Sequence, residues 1–235
     1  MNGWILLVVA SLILTACGTA VLHRFRQRGA AEKRRLDLKI LAHESGAQFY
    51  ESDQTLNQIL LASGAAYRKR AAVVKNLISR QHPHGRSVIF DYAYYTEKKK
   101  TLAFEMTGVH IEFHAHHFPK FKIITHPHAG WFRFPELRRM SKIPPKELPS
   151  WLPSSCSVLI NDGDDQSALH FIEQNKVLQK IIMRPDFEGL FFFENTATCY
   201  FKSRYPADVF GHARIMQPVN NLLRLETAKP QKSIT

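Results

Sequence analysis

The chain has 235 residues, of which 45% are hydrophobic and 22% charged, which is typical of a globular protein and excludes a disordered or fibrous one. Its 32 Lys and Arg against 20 Asp and Glu give a net charge of +12, which favours anionic partners such as lipid headgroups, phosphates or nucleic acid. Three widely separated cysteines, Cys17, Cys156 and Cys199, argue against a disulfide framework, and the lack of a CxxC pair argues against a zinc ribbon.

The N-terminal segment, residues 4–22, is apolar and carries no charged side chain. As a helix it would be about 28 Å long, close to the hydrocarbon thickness of a bilayer. Met1, Asn2 and Gly3 are uncharged, whereas the segment from His23 to Lys39 has seven basic and two acidic residues, a net charge of +5. Because short basic segments stay in the cytoplasm, we predict a single-pass transmembrane anchor over residues 1–22 in a bacterial inner membrane, with the N-terminus outside.

This placement implies two lipid contacts. The bilayer would be reached through residues 4–22, and anionic headgroups through the basic flank. The alternative is a periplasmic lipoprotein, because Leu14-Thr15-Ala16-Cys17 matches a lipobox in which Cys17 is lipidated. An export signal without a basic start but with a basic patch beyond it is poorly suited to translocation, so we favour the anchor.

Beyond the anchor, hydrophobic periodicity predicts a basic juxtamembrane helix over residues 23–45 and a cytoplasmic domain over residues 46–226. The domain begins with a short strand and a helix capped by Ser52 or Asp53. A β-hairpin is the clearest local prediction, since β-branched and aromatic residues flank a charged turn. The predicted strands of the first half cover residues 48–51, 72 onwards, 87–95, 101–113 and 121–125.

The second half continues the same mixture. Four prolines in residues 143–153 predict an extended link between two possible lobes. Strands are predicted over residues 156–161, 189–194 and 198–202, and helices after Asp165 and over residues 208–225, before a disordered tail at 227–235. Without βαβ alternation, these elements predict an α+β fold, in which an N-terminal transmembrane helix precedes a mainly antiparallel sheet with flanking helices.

The sequence has no P-loop, HExxH, GxSxG or GxGxxG motif, and it gives no reason to predict a cofactor or a catalytic residue. Its most unusual feature is a run of six histidines between residues 110 and 128. On a strand, His110, His114 and His116 would share one face and could bind a metal ion. A polar sheet face is the preferred interpretation, and a pH-responsive surface is a third.

Basic and aromatic residues also alternate in segments such as residues 131–134, which is compatible with nucleic-acid stacking. The same alternation is typical of a half-buried strand. We therefore rank nucleic acid below a lipid surface as the partner of the basic chain.

Residues 85–96 combine Gly85-Arg86 with Val88, Phe90-Asp91-Tyr92, Tyr94 and Thr96. This pattern resembles the GRxVxxFDYxYxT hairpin of an uncharacterised family of bacterial membrane-associated proteins. The resemblance extends loosely over most of the chain, and it implies a domain of unknown function with no catalytic residues to carry over. The histidine-rich run has no counterpart in that pattern.

These observations together predict a membrane-anchored binding or scaffolding protein at the cytoplasmic face of a bacterial inner membrane, with an unknown protein partner. The alternative of a different class is a metal-dependent enzyme that uses His110, His114 and His116. The lipoprotein lipidated at Cys17 is the third.

Overall fold

The computed structural model of the chain describes residues 3–62, 72–95, 102–115, 117–125, 140–161, 165–202 and 204–223. Within them the strands are β1 Gln48–Tyr50, β2 Ala72–His82, β3 Gly85–Tyr95, β4 Leu102–Phe113, β5 Phe118–Thr125, β6 Met140–Lys142, β7 Cys156–Asn161, β8 Phe187–Glu194 and β9 Thr196–Lys202. The helices are α1 Gly3–Glu44, α2 Gln54–Ala62, α3 Asp165–Gln174, α4 Lys176–Ile182 and α5 Val209–Leu223.

The nine strands form one sheet in the order β1-β2-β3-β4-β9-β8-β5-β7-β6. Every neighbouring pair is antiparallel. The chain enters at one edge, crosses to the centre through β4 and continues in the other half of the sheet. It then returns through β8 and β9, of which β8 pairs with β5 and β9 pairs with β4. The centre of the sheet therefore joins strands that are far apart in sequence.

The predicted hairpin is confirmed as β3 and β4, which pair along their whole length. Its alternating pattern places Val88, Phe90 and Tyr92 on one face of the sheet. The opposite face carries residues such as Val109 and Ile111 of β4. The predicted cap of α2 is also confirmed, because the Leu56 amide donates to the Asp53 carboxylate over 3.0 Å.

Each face of the sheet is covered by helices. The larger core packs α3, α4 and α5 against the central strands, and aromatic rings fill it, with Phe121 and Phe192 stacked 4.8 Å apart. The smaller core packs Leu56 and Leu60 of α2 against the other face. The end of α1 forms a third cluster, which lies over β2.

The proline-rich segment from residue 143 to residue 153 contains a short 3₁₀ turn at Pro145–Glu147. Just before it, the Ile143 amide donates to the carbonyl of Val158 over 3.1 Å. This segment is thus tied to β7 at its start. The predicted tail, residues 227–235, lies outside the described residues.

The N-terminal helix corrects one prediction. Across the described ranges, no helix is both long and apolar enough to cross a bilayer. By this finding, the transmembrane helix and single-pass anchor predicted for residues 1–22 are wrong. The predicted boundary at residue 22 is not the end of a helix. α1 is one helix of 42 residues, and its apolar start continues without a break into the charged segment. Between residues 4 and 22, the exposure of four residues is described, and all four, Thr15, Gly18, Thr19 and Leu22, are exposed.

Candidate functional site

The last turns of α1 pack on the sheet. Leu38, Leu41 and Ala42 are buried against Ile78 of β2. Helical spacing puts these three side chains on one side of α1. These contacts hold one face of α1 on the sheet, near the C-terminal end of the helix.

A buried ion pair reinforces this contact. Arg34 of α1 donates to both carboxylate oxygens of Asp91 in β3, from Nε over 2.8 Å and from Nη2 over 2.6 Å. Its Nη1 donates to the carbonyl of Tyr205 over 2.7 Å. Only 2% of Asp91 and 15% of the Arg34 side chain are exposed, so the pair is largely shielded from water, and two hydrogen bonds join its charges. Arg34 thus joins α1 to the sheet and to the segment before α5.

A bulge in β2 completes the site around Asp91. The register between β2 and β3 shifts after Lys75, and Asn76 takes a φ of 54°, a left-handed conformation that asparagine tolerates well. Its side-chain amide donates to Asp91 over 2.9 Å. The carboxylate therefore accepts from a guanidinium and an amide at once.

The structure gives each residue of the Phe90-Asp91-Tyr92 motif a separate packing role. Phe90 lies over Gly108 of β4, where an added Cβ would stand 2.3 Å from the ring. Tyr92 meets Tyr200 of β9 edge to face, with ring centroids 5.4 Å apart. These two rings fill the smaller core, while Asp91 points to the other face and binds α1. The motif is therefore a helix-docking element in this chain.

The other side of α1 is apolar and exposed. Leu22, Phe25, Leu36 and Ile40 are 58%, 67%, 48% and 57% exposed. They are 3, 11 and 4 residues apart, which are all close to whole helical turns, so they share one side of the helix. We call these four residues the α1 stripe. It faces away from the side that binds the sheet.

Exposed cations accompany the α1 stripe. Arg26, Arg28, Lys33 and Lys39 are all exposed on the same stretch of helix. Arg35 is different, because it is paired with Glu32 and Glu51. The α1 segment from residue 22 to residue 40 therefore combines an apolar stripe with basic side chains.

A small cleft lies where α1, β3 and α5 meet, lined by Arg34, Asp91 and Tyr205 among others. It encloses about 20 Å³, which is room for one or two water molecules. Sites for small organic ligands are larger by an order of magnitude. This cleft belongs to the junction of α1 with the sheet and has no room for a substrate.

A second polar network lies near α5. Arg184 binds the carboxylate of Asp186 over 3.0 and 3.1 Å, and its Nη2 donates to the Tyr205 hydroxyl over 2.8 Å. The Tyr205 hydroxyl in turn donates to Asp186. Burial and this bond to Asp186 raise the pKa of Tyr205 to about 12. Burial alone would raise the pKa of Asp186, but the hydrogen bonds from Arg184 and Tyr205 hold it below its usual value.

A buried carboxyl group lies in β8. Glu188 is at a register shift between β8 and β9, and its side chain is buried. The Thr125 hydroxyl lies 3.4 Å from its Oε2. Burial raises the pKa of Glu188 to about 7, against the opposing effects of the Lys202 charge and the Thr125 hydrogen bond. Glu188 is the described acid whose charge state changes near neutral pH.

The histidines singled out from the sequence are placed differently from one another. His110 is 0% exposed and its Nδ1 lies 2.9 Å from the Thr198 hydroxyl, so it belongs to the interior rather than to an exposed polar face. Its Nε2 lies 3.7 Å from the Glu112 carboxylate, which is too far for a hydrogen bond. The nearness of His110, and after it the charge of Arg86, lowers the pKa of Glu112 against the opposing effect of burial. His114 is exposed beyond the end of β4, and His116 lies outside the described residues. Among described residues, no three His, Cys, Asp or Glu side chains are grouped to hold a metal ion.

The cysteines add no second site. Cys156 and Cys199 are free and buried, and burial raises the pKa of both thiols. The side chain of Cys17 lies outside the described part of α1, so lipidation there stays a prediction.

Comparison with known proteins identifies a fold and no family. No family model matches the chain. No curated protein matches it either. Among solved structures, the crystal structure of the mycobacterial trehalose monomycolate transport factor A, TtfA, superposes with a TM-score of 0.52 at 12% identity. The match covers 84% of this chain and 98% of TtfA, so the two share the architecture of the whole domain.

Sequence reasoning missed the Arg34–Asp91 pair. In the sequence, Arg34 is one of seven cations after the apolar segment, and Asp91 is part of a hairpin motif. The available signal was an acidic residue at an inward position of an otherwise apolar and aromatic strand, because a buried carboxylate needs a partner. The identity of that partner was not contained in local sequence.

Proposed function

We propose that this protein is a binding or scaffolding protein and that the exposed side of α1 is its interaction element. The observation that carries the proposal is the division of α1 into two sides. Arg34, Leu38 and Leu41 fix one side on the sheet, and the α1 stripe is left in solvent on the other. Apolar side chains that recur on one exposed helix face mark an interaction site.

The interior charges support the same proposal. Asp91 and Asp186 are the acidic groups at the junctions of α1 and α5 with the sheet, and arginines bind both. Their hydrogen bonds join secondary-structure elements. The rigid platform that results is suited to presenting a helix face at a fixed orientation.

The place of action belongs to the proposal as well. The basic segment after residue 22 would favour the cytoplasmic face of a bacterial membrane, whose lipids are anionic. The structural neighbour is described as a transport factor, and a role without chemistry of its own is compatible with that description. At 12% identity, the likeness supports the fold of the proposed scaffold and not its cargo.

The test is the accessibility of residue 40 before and after the protein meets its natural surroundings. Ile40→Cys is made in a chain with Cys17→Ala; Cys156 and Cys199 are buried and should not react. A maleimide should label the variant rapidly in purified protein and slowly in extract of the source cells, because a partner covers the α1 stripe there. Met183→Cys is the matched control, since Met183 is an exposed apolar residue at the end of a different helix, α4, and should react equally in both. Equal labelling of Ile40→Cys in both samples would refute the proposal.

A further inference from the structure

The α1 stripe raises the question of which partner covers it. Four apolar side chains are exposed on one side of a helix, over a length of about 27 Å between residues 22 and 40. A second copy of the chain, another protein and a lipid surface are the possible occupants. The charges on the helix distinguish among them.

The charge of the segment disfavours a second copy. The sequence from His23 to Lys39 has a net charge of +5, and pairing two such helices along the α1 stripe would bring like charges together. An anionic surface reverses the sign of that interaction. Arg26, Arg28, Lys33 and Lys39 can then contact headgroups while the apolar residues enter the boundary between headgroups and acyl chains.

The two sides of α1 also fit a helix that lies on a surface. Such a helix needs apolar residues on one side only, with the other side free to carry a domain. Here the other side carries the sheet, through the Arg34–Asp91 pair and the cluster around Leu38.

We infer that the α1 stripe with its flanking cations binds the surface of an anionic lipid bilayer, so that the helix lies between the lipid and the sheet. The inference rests on the proposed function and names the partner of the same site. The sheet domain is thereby held close to the headgroups in one orientation. Binding depends on both parts: the apolar side chains supply the insertion and the cations supply the preference for anionic lipid.

The experiment reports the surroundings of residue 40 in the full chain. An environment-sensitive fluorophore is attached to Ile40→Cys with Cys17→Ala, and the protein is mixed with vesicles of phosphatidylcholine alone or mixed with phosphatidylglycerol. The emission should shift to the blue with the anionic vesicles and stay unchanged with the neutral ones. The same fluorophore at Met183→Cys, which is exposed on the sheet domain, should stay in water with both.

Two further variants separate charge from apolar contact. Replacing Arg26, Arg28, Lys33 and Lys39 by Gln should weaken the response by about tenfold or more, because each cation near an anionic surface adds attraction. The control variant removes the same charge from exposed positions elsewhere and should leave the fluorescence response to anionic vesicles unchanged. In it, Gln replaces Lys142, Lys146, Lys176 and Lys180. Adding salt should weaken binding of the unsubstituted helix.

Several outcomes would overturn the inference. They are an unshifted fluorophore at residue 40, an equal shift with neutral and anionic vesicles, an equal loss in the control lysine variant, or a dimer that Ile40→Ser dissociates in sedimentation velocity. If residue 40 is protected in cell extract but unshifted on anionic vesicles, the binding function stands and the lipid inference fails. If residue 40 is equally reactive in extract and in buffer, both the proposed binding function and the lipid inference fail.

Discussion

Arg34 and Asp91 are 57 residues apart in sequence, yet two hydrogen bonds of 2.6 and 2.8 Å join their side chains where α1 meets the sheet. The pair is nearly removed from solvent, and a third bond ties Arg34 to the carbonyl of Tyr205. The orientation of α1 on the sheet therefore depends on this buried salt bridge and one small apolar cluster, beside the exposed Arg35–Glu51 pair.

Removal of the carboxylate should destabilise the protein strongly. Asp91→Ala leaves the Arg34 guanidinium without a counter-charge in the interior, and we expect the free energy of unfolding to fall by about 3 kcal/mol in urea denaturation. Arg35→Ala is the matched control on the neighbouring residue. Its acidic partners, Glu32 and Glu51, are exposed, so little change is expected.

A double substitution tests whether the loss comes from the uncompensated charge. Arg34→Met with Asp91→Leu removes both charges and keeps much of the volume, so the double variant should be more stable than Asp91→Ala. Equal losses for Asp91→Ala and Arg35→Ala, or a double variant less stable than Asp91→Ala, would contradict this interpretation of the pair.

The contact between Phe90 and Gly108 should not tolerate a methyl group. In Gly108→Ala, the new Cβ would stand 2.3 to 2.9 Å from three ring atoms of Phe90, and we expect a loss of about 1 to 3 kcal/mol in thermal or urea unfolding. Gly29→Ala, which has open space around it, should cost nothing. Phe90→Leu should recover part of the loss when combined with Gly108→Ala. An unchanged stability of Gly108→Ala would mean that the ring does not lie over the glycine.

Glu188 should make stability depend on pH in a defined direction. Its pKa in the folded protein is about 7, above the ordinary value of 4.5, so the folded state binds the proton more tightly than the unfolded state. The contribution of Glu188 to the free energy of unfolding is therefore fully present below pH 4.5 and is lost as the pH rises through about 7. Glu188→Gln should not show that decline. At pH 8 its free energy of unfolding should be higher than that of the unsubstituted protein by up to about 3 kcal/mol, measured from the urea midpoints.

The control for this prediction is Glu173→Gln, which removes a carboxylate from an exposed position of α3. It should follow the pH profile of the unsubstituted protein. A constant difference between Glu188→Gln and the unsubstituted protein from pH 4.5 to pH 8 would show that Glu188 does not titrate in this range.

The position of His110 bears on the metal-dependent alternative. Because its Nδ1 contacts Thr198 in the interior and His114 lies beyond the strand end, we expect calorimetric titration of the untagged protein with Zn²⁺ to give the same heat for His114→Ala as for the unsubstituted chain. His110→Ala should lower stability through the lost packing, whether or not Zn²⁺ is added. Stoichiometric Zn²⁺ binding that either substitution abolishes would instead support a metal site.

Local patterns were sufficient for individual elements. The alternation in residues 87–95 and 101–113 predicted β3 and β4, and the CSVLIN segment predicted β7 with its observed ends. The pairing of β4 with β9 was beyond such patterns, because it joins Val109 to Cys199 across most of the domain. The polar sheet face expected around His110 failed for the same reason: β9 and its Thr198 supply a buried partner that strand alternation does not reveal.

The sequence predicts the charge of the candidate site on α1 but not its apolar stripe. The excess of cations between His23 and Lys39 pointed to an anionic partner, and composition alone showed it. The apolar stripe was hidden, since Leu22, Phe25, Leu36 and Ile40 form a single side only when α1 is one continuous helix. The side of α1 that faces the sheet is determined by the contact of Arg34 with Asp91, and local sequence patterns do not indicate a contact between distant residues.

The central claim is that the Arg34–Asp91 pair fixes α1 on the sheet and so presents its other side. Amide hydrogen exchange over residues 34–44 tests it most directly, with the unsubstituted chain and Asp91→Asn measured side by side. We expect slow exchange in the unsubstituted chain and, in Asp91→Asn, exchange about tenfold or more faster in this segment alone, with β4 and β9 still protected. Exchange in residues 34–44 that is fast in the unsubstituted chain, or unaffected by Asp91→Asn, would contradict the claim.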